Sequence, residues 1–152
     1  MDEPRDNPGA VMFACTMNAV RSQMAAGILR HLAGHRLKVA SAGVRAGQQD
    51  PFAIAVMDEI GIDISENMPR RFAAIGNEVY DLIITLSPEA HHHAVELTRI
   101  MPAKVEYWPT IDATVPLTGA TRADTINRYR RVSDELFAKI RARFQVDSAP
   151  GI

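Results

Sequence analysis

The run Val11-Met12-Phe13-Ala14-Cys15-Thr16-Met17-Asn18-Ala19-Val20-Arg21-Ser22 sets the only cysteine of the chain directly after an apolar stretch, with Arg21 six positions on and a serine next. A cysteine thiolate is a nucleophile, and an arginine fork binds anion oxygens through two parallel N–H bonds that lysine does not offer. The order therefore describes a nucleophile and an oxyanion clamp on one loop. A lone cysteine after an apolar strand is more often an inert core thiol, and it is the spacing to Arg21 and Ser22 that turns the reading toward catalysis. Loop and helix dipoles, with Arg21, would lower such a thiol from about 8.5 to roughly 3.5–7.5. Ser22, at or near the N-cap of the next helix, is placed to donate its hydroxyl to the sulfur as it leaves. Asn18 suits a position of positive φ, of the kind an anion cradle contains.

Such a loop needs a strand behind it and a helix in front. The apolar run ends near Ala14, and Met24, Ile28, Leu29 and Leu32 form a helical stripe from Ser22 onward, so residues 15 to 21 must make a tight strand-to-helix turn. The amides of that turn form a nest, and the unpaired N–H groups of the helix's first turn add positive potential. Further along, apolar runs at 10–14, 37–41, 80–86 and 103–107 read as buried parallel strands, and helical patterns occupy 22–34, 51–61, 88–99 and 122–144. Thr121 and Asp124 make a capping box ahead of the stripe Ile126, Tyr129, Val132, Leu136, Ile140 and Phe144. Residues 62–79 and 108–120 read as loops or short helical turns. In a parallel α/β sheet ligands collect at the carboxyl ends of strands, where Cys15, Ser41, Thr85 to Ser87 and the loop after Tyr107 all fall.

A chain of 152 residues with 47% hydrophobic residues suits one domain over 10–146, with a polar lead-in at 1–9 rather than a signal peptide and a tail at 147–152. A single cysteine forbids an internal disulfide and fits a reducing, cytoplasmic setting. No apolar run approaches the ~18 residues of a membrane span. A net charge of −1 leaves no footprint for nucleic acid. The expected partner is a small oxyanion, a phosphate ester or a phosphoprotein side chain.

Five stretches in order carry a resemblance: Cys15 to Ala25; Ser41-Ala42-Gly43; Glu59-Ile60-Gly61-Ile62-Asp63-Ile64-Ser65; Tyr80-Asp81-Leu82-Ile83-Ile84-Thr85-Leu86; and Trp108-Pro109-Thr110-Ile111-Asp112. The chain resembles the low-molecular-weight protein tyrosine phosphatases, a superfamily that includes the thioredoxin-coupled arsenate reductases. The resemblance implies an α/β three-layer sandwich with a four-stranded parallel sheet and helices on both faces. It implies Cys15 as nucleophile, Arg21 with the amides of Thr16, Met17, Asn18, Ala19, Val20 and Ser22 as the oxyanion site, and Asp112 as general acid and base. It also implies that the Ser41 hydroxyl helps hold Asn18, although Ser41 equally suits the end of a strand before a turn. Asp112 by itself is more often a loop aspartate closing an Asx turn with its own backbone, and it is the family position that turns the reading toward catalysis. In ester hydrolysis its carboxyl would be pushed upward by partial burial near a dianion while the thiol is pushed down.

Several positions depart from the family pattern. Met17 and Val20 stand where glycine and, in many eukaryotic members, a second cysteine are found, and Ala113 follows Asp112 where proline is usual. Val44 to Gln49 and Ala113 to Val115 supply no aromatic wall for a phenyl ring. The loop sequence is nearer to the arsenate-reductase branch, yet Ser87 lies where that branch has a cysteine, so a three-cysteine relay is impossible. The main expectation is a phosphoric-monoester hydrolase forming a cysteinyl-phosphate. The alternatives are an arsenate reductase that uses an external thiol and a non-catalytic phosphate- or phosphoprotein-binding domain. No metal or organic cofactor is expected: His91-His92-His93 point about 100° apart on a helix, and no His-Glu-x-x-His occurs. His31 and His35 suit a helix C-terminus. Arg70-Arg71 reads as a solvated pair or as an anion-steering patch.

Overall fold

Strand β1 (Ala10–Cys15) is buried from Val11 onward on both of its faces. Val11, Phe13 and Cys15 enter one core, and Met12 and Ala14 enter another. A strand with two apolar faces has to lie inside a sheet covered on both sides. The computed structural model describes residues 8–144 and places β1 in the middle of a parallel sheet of order β2-β1-β3-β4. The other strands are β2 (Lys38–Gly43), β3 (Leu82–Thr85) and β4 (Lys104–Tyr107). Helices α1 (Arg21–Ala33), α2 (Pro51–Glu59) and α4 (Arg122–Phe144) cover the Phe13 face. Helix α3 (Pro88–Leu97) and a 3-10 turn at Phe72–Ile75 cover the other. This is the expected three-layer α/β sandwich.

The helix starts are set by short-range chemistry. Asp50 accepts from the N–H groups of Phe52 and Ala53 at 2.8 and 3.2 Å, with Pro51 in the first turn of α2. Ser87 accepts from Ala90 N–H at 3.3 Å ahead of Pro88. Thr121 and Asp124 exchange bonds of 2.9 and 3.1 Å, the capping box expected for α4.

Where the structure departs from expectation, a tertiary partner is the cause. Strand β2 runs on to Gly43 because Gly43 pairs with Cys15. Tyr80 and Asp81 precede β3 instead of opening it, and the Asp81 carboxylate accepts from Gly9 and Ala10 N–H, each at 2.8 Å. Gly9, expected in the polar lead-in, is therefore tied to the sheet; the rest of 1–7 and all of 145–152 lie outside the described residues. Segment 62–79 is more than connection, because Ile62, Ile64 and Ile75 are buried. Gly27 of α1 lets that segment close in: a Cβ there would lie 2.7 Å from Ile64 Cγ2. Among the described residues no helix is long and apolar enough to cross a membrane.

Candidate active site

Register brings the strand ends together. Cys15 lies opposite Gly43, Ala14 opposite Thr85, and Thr85 opposite Tyr107, so every loop at the carboxyl edge opens on the same side of Cys15. Cys15 is 2% exposed, and its Sγ lies 2.9 Å from Ser22 Oγ. Ser22 Oγ also accepts from Asn18 Nδ2 at 2.7 Å. An amide nitrogen only donates, so the serine proton stays available to the sulfur. Sequence alone placed Ser22 near the N-cap; the cap is Val20, without a side-chain bond, and Arg21 and Ser22 are the first two residues of α1. That opens the first-turn amides to a ligand.

The loop between β1 and α1 is turned inside out by its partners. The carbonyls of Cys15, Thr16 and Met17 accept from the N–H groups of Val44, Arg45 and Gly47 at 3.1, 2.8 and 2.9 Å. The Asn18 carbonyl accepts from Gln23 Nε2 at 3.2 Å, and that of Val20 from Met24 N–H at 2.9 Å. With these carbonyls held outward, the N–H groups of Met17 to Ser22 donate to no described residue. Asn18 takes φ +54°, the only positive φ at a non-glycine among the described residues, as expected for the residue that bends the cradle.

Asn18 is held differently from the expectation. Its Oδ1 accepts from Arg70 N–H at 2.8 Å and from Gln23 Nε2 at 3.4 Å. Ser41 contributes its carbonyl, which accepts from Arg70 Nε at 2.9 Å, so the hydroxyl role given to Ser41 is replaced by a backbone one through Arg70. Nor is Arg70 a solvated residue. Its guanidinium forks onto Glu78 at 3.0 and 2.9 Å, and the Tyr80 hydroxyl also donates to Glu78. The Arg70 and Tyr80 bonds pull the Glu78 carboxyl down to about 2. Gly43, part of the Ser41-Ala42-Gly43 stretch, has a steric role that sequence does not show. A Cβ there would lie 2.6 Å from the Arg45 carbonyl and 2.7 Å from Asn18 N, so only glycine lets β2 pass behind the loop. Ser87, unassigned as a cradle residue, accepts from Thr16 Oγ1 at 3.0 Å.

Arg21 Nη1 donates to the Thr110 carbonyl at 3.1 Å, which holds the fork in place ahead of any anion. Its Nη2 lies 3.8 Å from Asp112 Oδ2. Asp112 closes the Asx turn considered for it and also turns one oxygen toward Arg21. Oδ1 closes an Asx turn, accepting from Thr114 N–H at 2.9 Å and its hydroxyl at 2.6 Å, while Oδ2 faces Arg21. Partial burial pushes this carboxyl up, but the Thr114 bonds and the Arg21 charge outweigh it, and the net direction is downward. Against the upward shift expected beside a dianion, the protein itself sets the two donors of Thr114, two residues along. Met17 points its side chain outward, 41% exposed, and gives the site only its backbone. The histidine run is not simply solvated. His91 stacks on Tyr107 and shares a 3.1 Å bond with Thr85 Oγ1, while His93 stacks on Phe72. No group of three metal-ligating side chains converges among the described residues.

Residues 10–146 match the family described as low molecular weight phosphotyrosine protein phosphatase. The chain belongs to this family. Among its relatives, an arsenate reductase of Halalkalibacterium halodurans is 33% identical over 137 residues, 89% of this chain and 94% of that protein. A glutaredoxin arsenate reductase of Synechocystis sp. is 40% identical over 76 residues, half of this chain, and the match spans 58% of that relative's length. A solved arsenate reductase in its oxidized state superposes with a TM-score of 0.70 at 27% identity, covering 90% of this chain and 97% of that one.

Proposed function

We propose that the chain reduces arsenate, with Cys15 as nucleophile and an external thiol as reductant. The observation that carries this reading is a sole cysteine at the base of an amide cradle whose flanking loops, 44–49 and 113–115, hold no aromatic ring to wall a phenyl ester. Either reaction needs a proton for the departing oxygen, and Asp112, whose Oδ2 faces Arg21, is the carboxyl beside the cradle that would supply it. The names of the relatives support the same reading, and one of them is named a glutaredoxin arsenate reductase.

Arsenate sits on the amides of Met17 to Ser22 and the Arg21 fork, and Cys15 Sγ attacks arsenic. An As–O bond breaks, the departing hydroxyl takes a proton from Asp112 and leaves as water, and a Cys15–S–As(V) adduct remains. An external thiolate attacks Sγ. An S–S bond forms, the S–As bond breaks with its electron pair going to arsenic, and arsenite leaves. A second thiol attacks the mixed disulfide, giving free disulfide and Cys15 thiolate, which the Ser22 hydroxyl receives as a hydrogen-bond donor. Two thiols supply both electrons.

A second reading, phosphomonoester hydrolysis through a cysteinyl-phosphate, is favoured by Asp112 Oδ2, which is free of the Asx turn and faces Arg21. There Asp112 would protonate the leaving oxygen and then take a proton from water. Arsenite release with dithiothreitol, or with glutathione and glutaredoxin, set against release of p-nitrophenol from its phosphate, decides between the two. Thiol-dependent arsenite formation that vanishes in Cys15→Ser, with inorganic phosphate still bound, is expected. Ester turnover without arsenite formation under any thiol would reverse the order.

A further inference from the structure

Asp112 is followed by alanine, so no ring fixes φ at position 113. The stretch Ile111–Ala120 contains little regular structure, and most of it is exposed. Something else has to keep the carboxylate facing Arg21. Helix α4 provides it. Arg128 Nη2 donates to the Ala113 carbonyl at 3.0 Å and to the Val115 carbonyl at 2.9 Å, straddling the two residues either side of Thr114. Ala113 itself is fully buried, its methyl in the core under α4. All of the hydrogen bonds that Arg128 makes to described residues go to this loop, and its buried Nε and Nη1 meet no acceptor there. An arginine serving surface charge would pair with a carboxylate; this one directs its bonds to two backbone carbonyls.

We propose that Arg128 is a positioning residue for Asp112, clamping the carbonyls of Ala113 and Val115 so that the Asx turn and the contact with Arg21 persist together. The proposal rests on Asp112 being the proton-handling group of the site. Arg128 touches neither the oxyanion cradle nor Cys15, so its effect is confined to the acid loop. A guanidinium can bond both carbonyls from one nitrogen in a fixed plane, whereas lysine reaches them only as a mobile point charge.

The test uses the full chain with Arg128→Ala and Arg128→Lys. For Arg128→Ala, affinity for inorganic phosphate should stay within about twofold while turnover falls about 10- to 100-fold, the loss expected when a reacting group shifts by an ångström. Backbone amides at 112–115 should exchange with solvent at least about tenfold faster, with α1 and β1 unchanged. Arg128→Lys should recover part of both. Unchanged exchange at 112–115, or phosphate affinity falling in step with turnover, would overturn the proposal. If the wild type turns over neither arsenate nor an aryl phosphate, the functional reading fails separately. The exchange rates and the NMR titration of Asp112 then decide: a midpoint that rises toward the ordinary carboxylate value in Arg128→Ala supports the clamp, and an unmoved one refutes it. Should Arg128→Ala not fold, Arg128→Gln, which keeps one amide donor, takes its place in the exchange and titration measurements, where faster exchange with a raised midpoint supports the clamp and no change in either refutes it.

Discussion

Ser22 is the residue on which the chemistry of Cys15 turns, because Asn18 occupies its acceptor side and leaves its proton for sulfur. Ser22→Ala removes that donor from the leaving thiolate, and turnover should drop about 100-fold, the scale of losing one preorganised donor, with the affinity for phosphate nearly unchanged by isothermal titration. Gly43 is the opposite kind of residue: it matters through what it lacks. Gly43→Ala drives a methyl into Asn18 N and the Arg45 carbonyl, both backbone atoms that cannot swing aside. It should cost about 1–3 kcal/mol in denaturant unfolding and weaken phosphate binding, since the cradle must shift. Cys15, Arg21 and the left-handed Asn18 could be read from local order because a strand, a tight turn and a helix are neighbours in the chain. Gly43 could not be read that way, since part of its constraint, Asn18 N, belongs to a loop more than twenty residues away.

At the scale of elements, two buttresses support the site from opposite sides of the sheet, one at the cradle and one at the Asp112 loop. The segment carrying Arg70 sits by Asn18 and hangs on Glu78 and Tyr80. Glu78 has a depressed carboxyl at about 2, against an unfolded value near 4.3. Its stabilisation is therefore complete above the unfolded value and disappears as pH falls through about 2. The gap in thermal midpoint between wild type and Glu78→Gln should be constant above about pH 5 and close progressively toward pH 2; a gap that widens on acidification would contradict this. Helix α4 is the other buttress. Leu136 is fully buried against the Phe13 face, and Leu136→Ala should cost about 2–5 kcal/mol by chemical denaturation. The capping box and the apolar stripe of α4 are local signals and were visible in the residues themselves. Arg70 passed for a solvated arginine because its partners, Ser41, Glu78 and Tyr80, are brought to it only by the sheet.

For the molecule as a whole, the positive potential is local: the chain carries a net charge of −1, yet its inward amides and Arg21 converge on one spot. Inorganic phosphate at about 100 times its Kd should raise the stability by about 2.7 kcal/mol, and as much in Cys15→Ser, since the amides and not the sulfur hold the anion. Equal melting with and without phosphate would count against the cradle. What the residues determined unaided is the class and the grouping: alternating apolar runs and stripes require a parallel sheet between helices, and Cys15, Arg21 and Ser22 fall on the one turn between a strand and a helix. What only the folded chain decided is how that turn is held and how Asp112 is tuned. Arg70, Gly43, Ser87 and Arg128 act through partners distant in sequence. Asp112 has its proton affinity set by the sum of burial, Thr114 and Arg21. Local order specifies which groups exist and the backbone they prefer, whereas the balance between desolvation and donors is a property of positions in space, and those are set when the layers close.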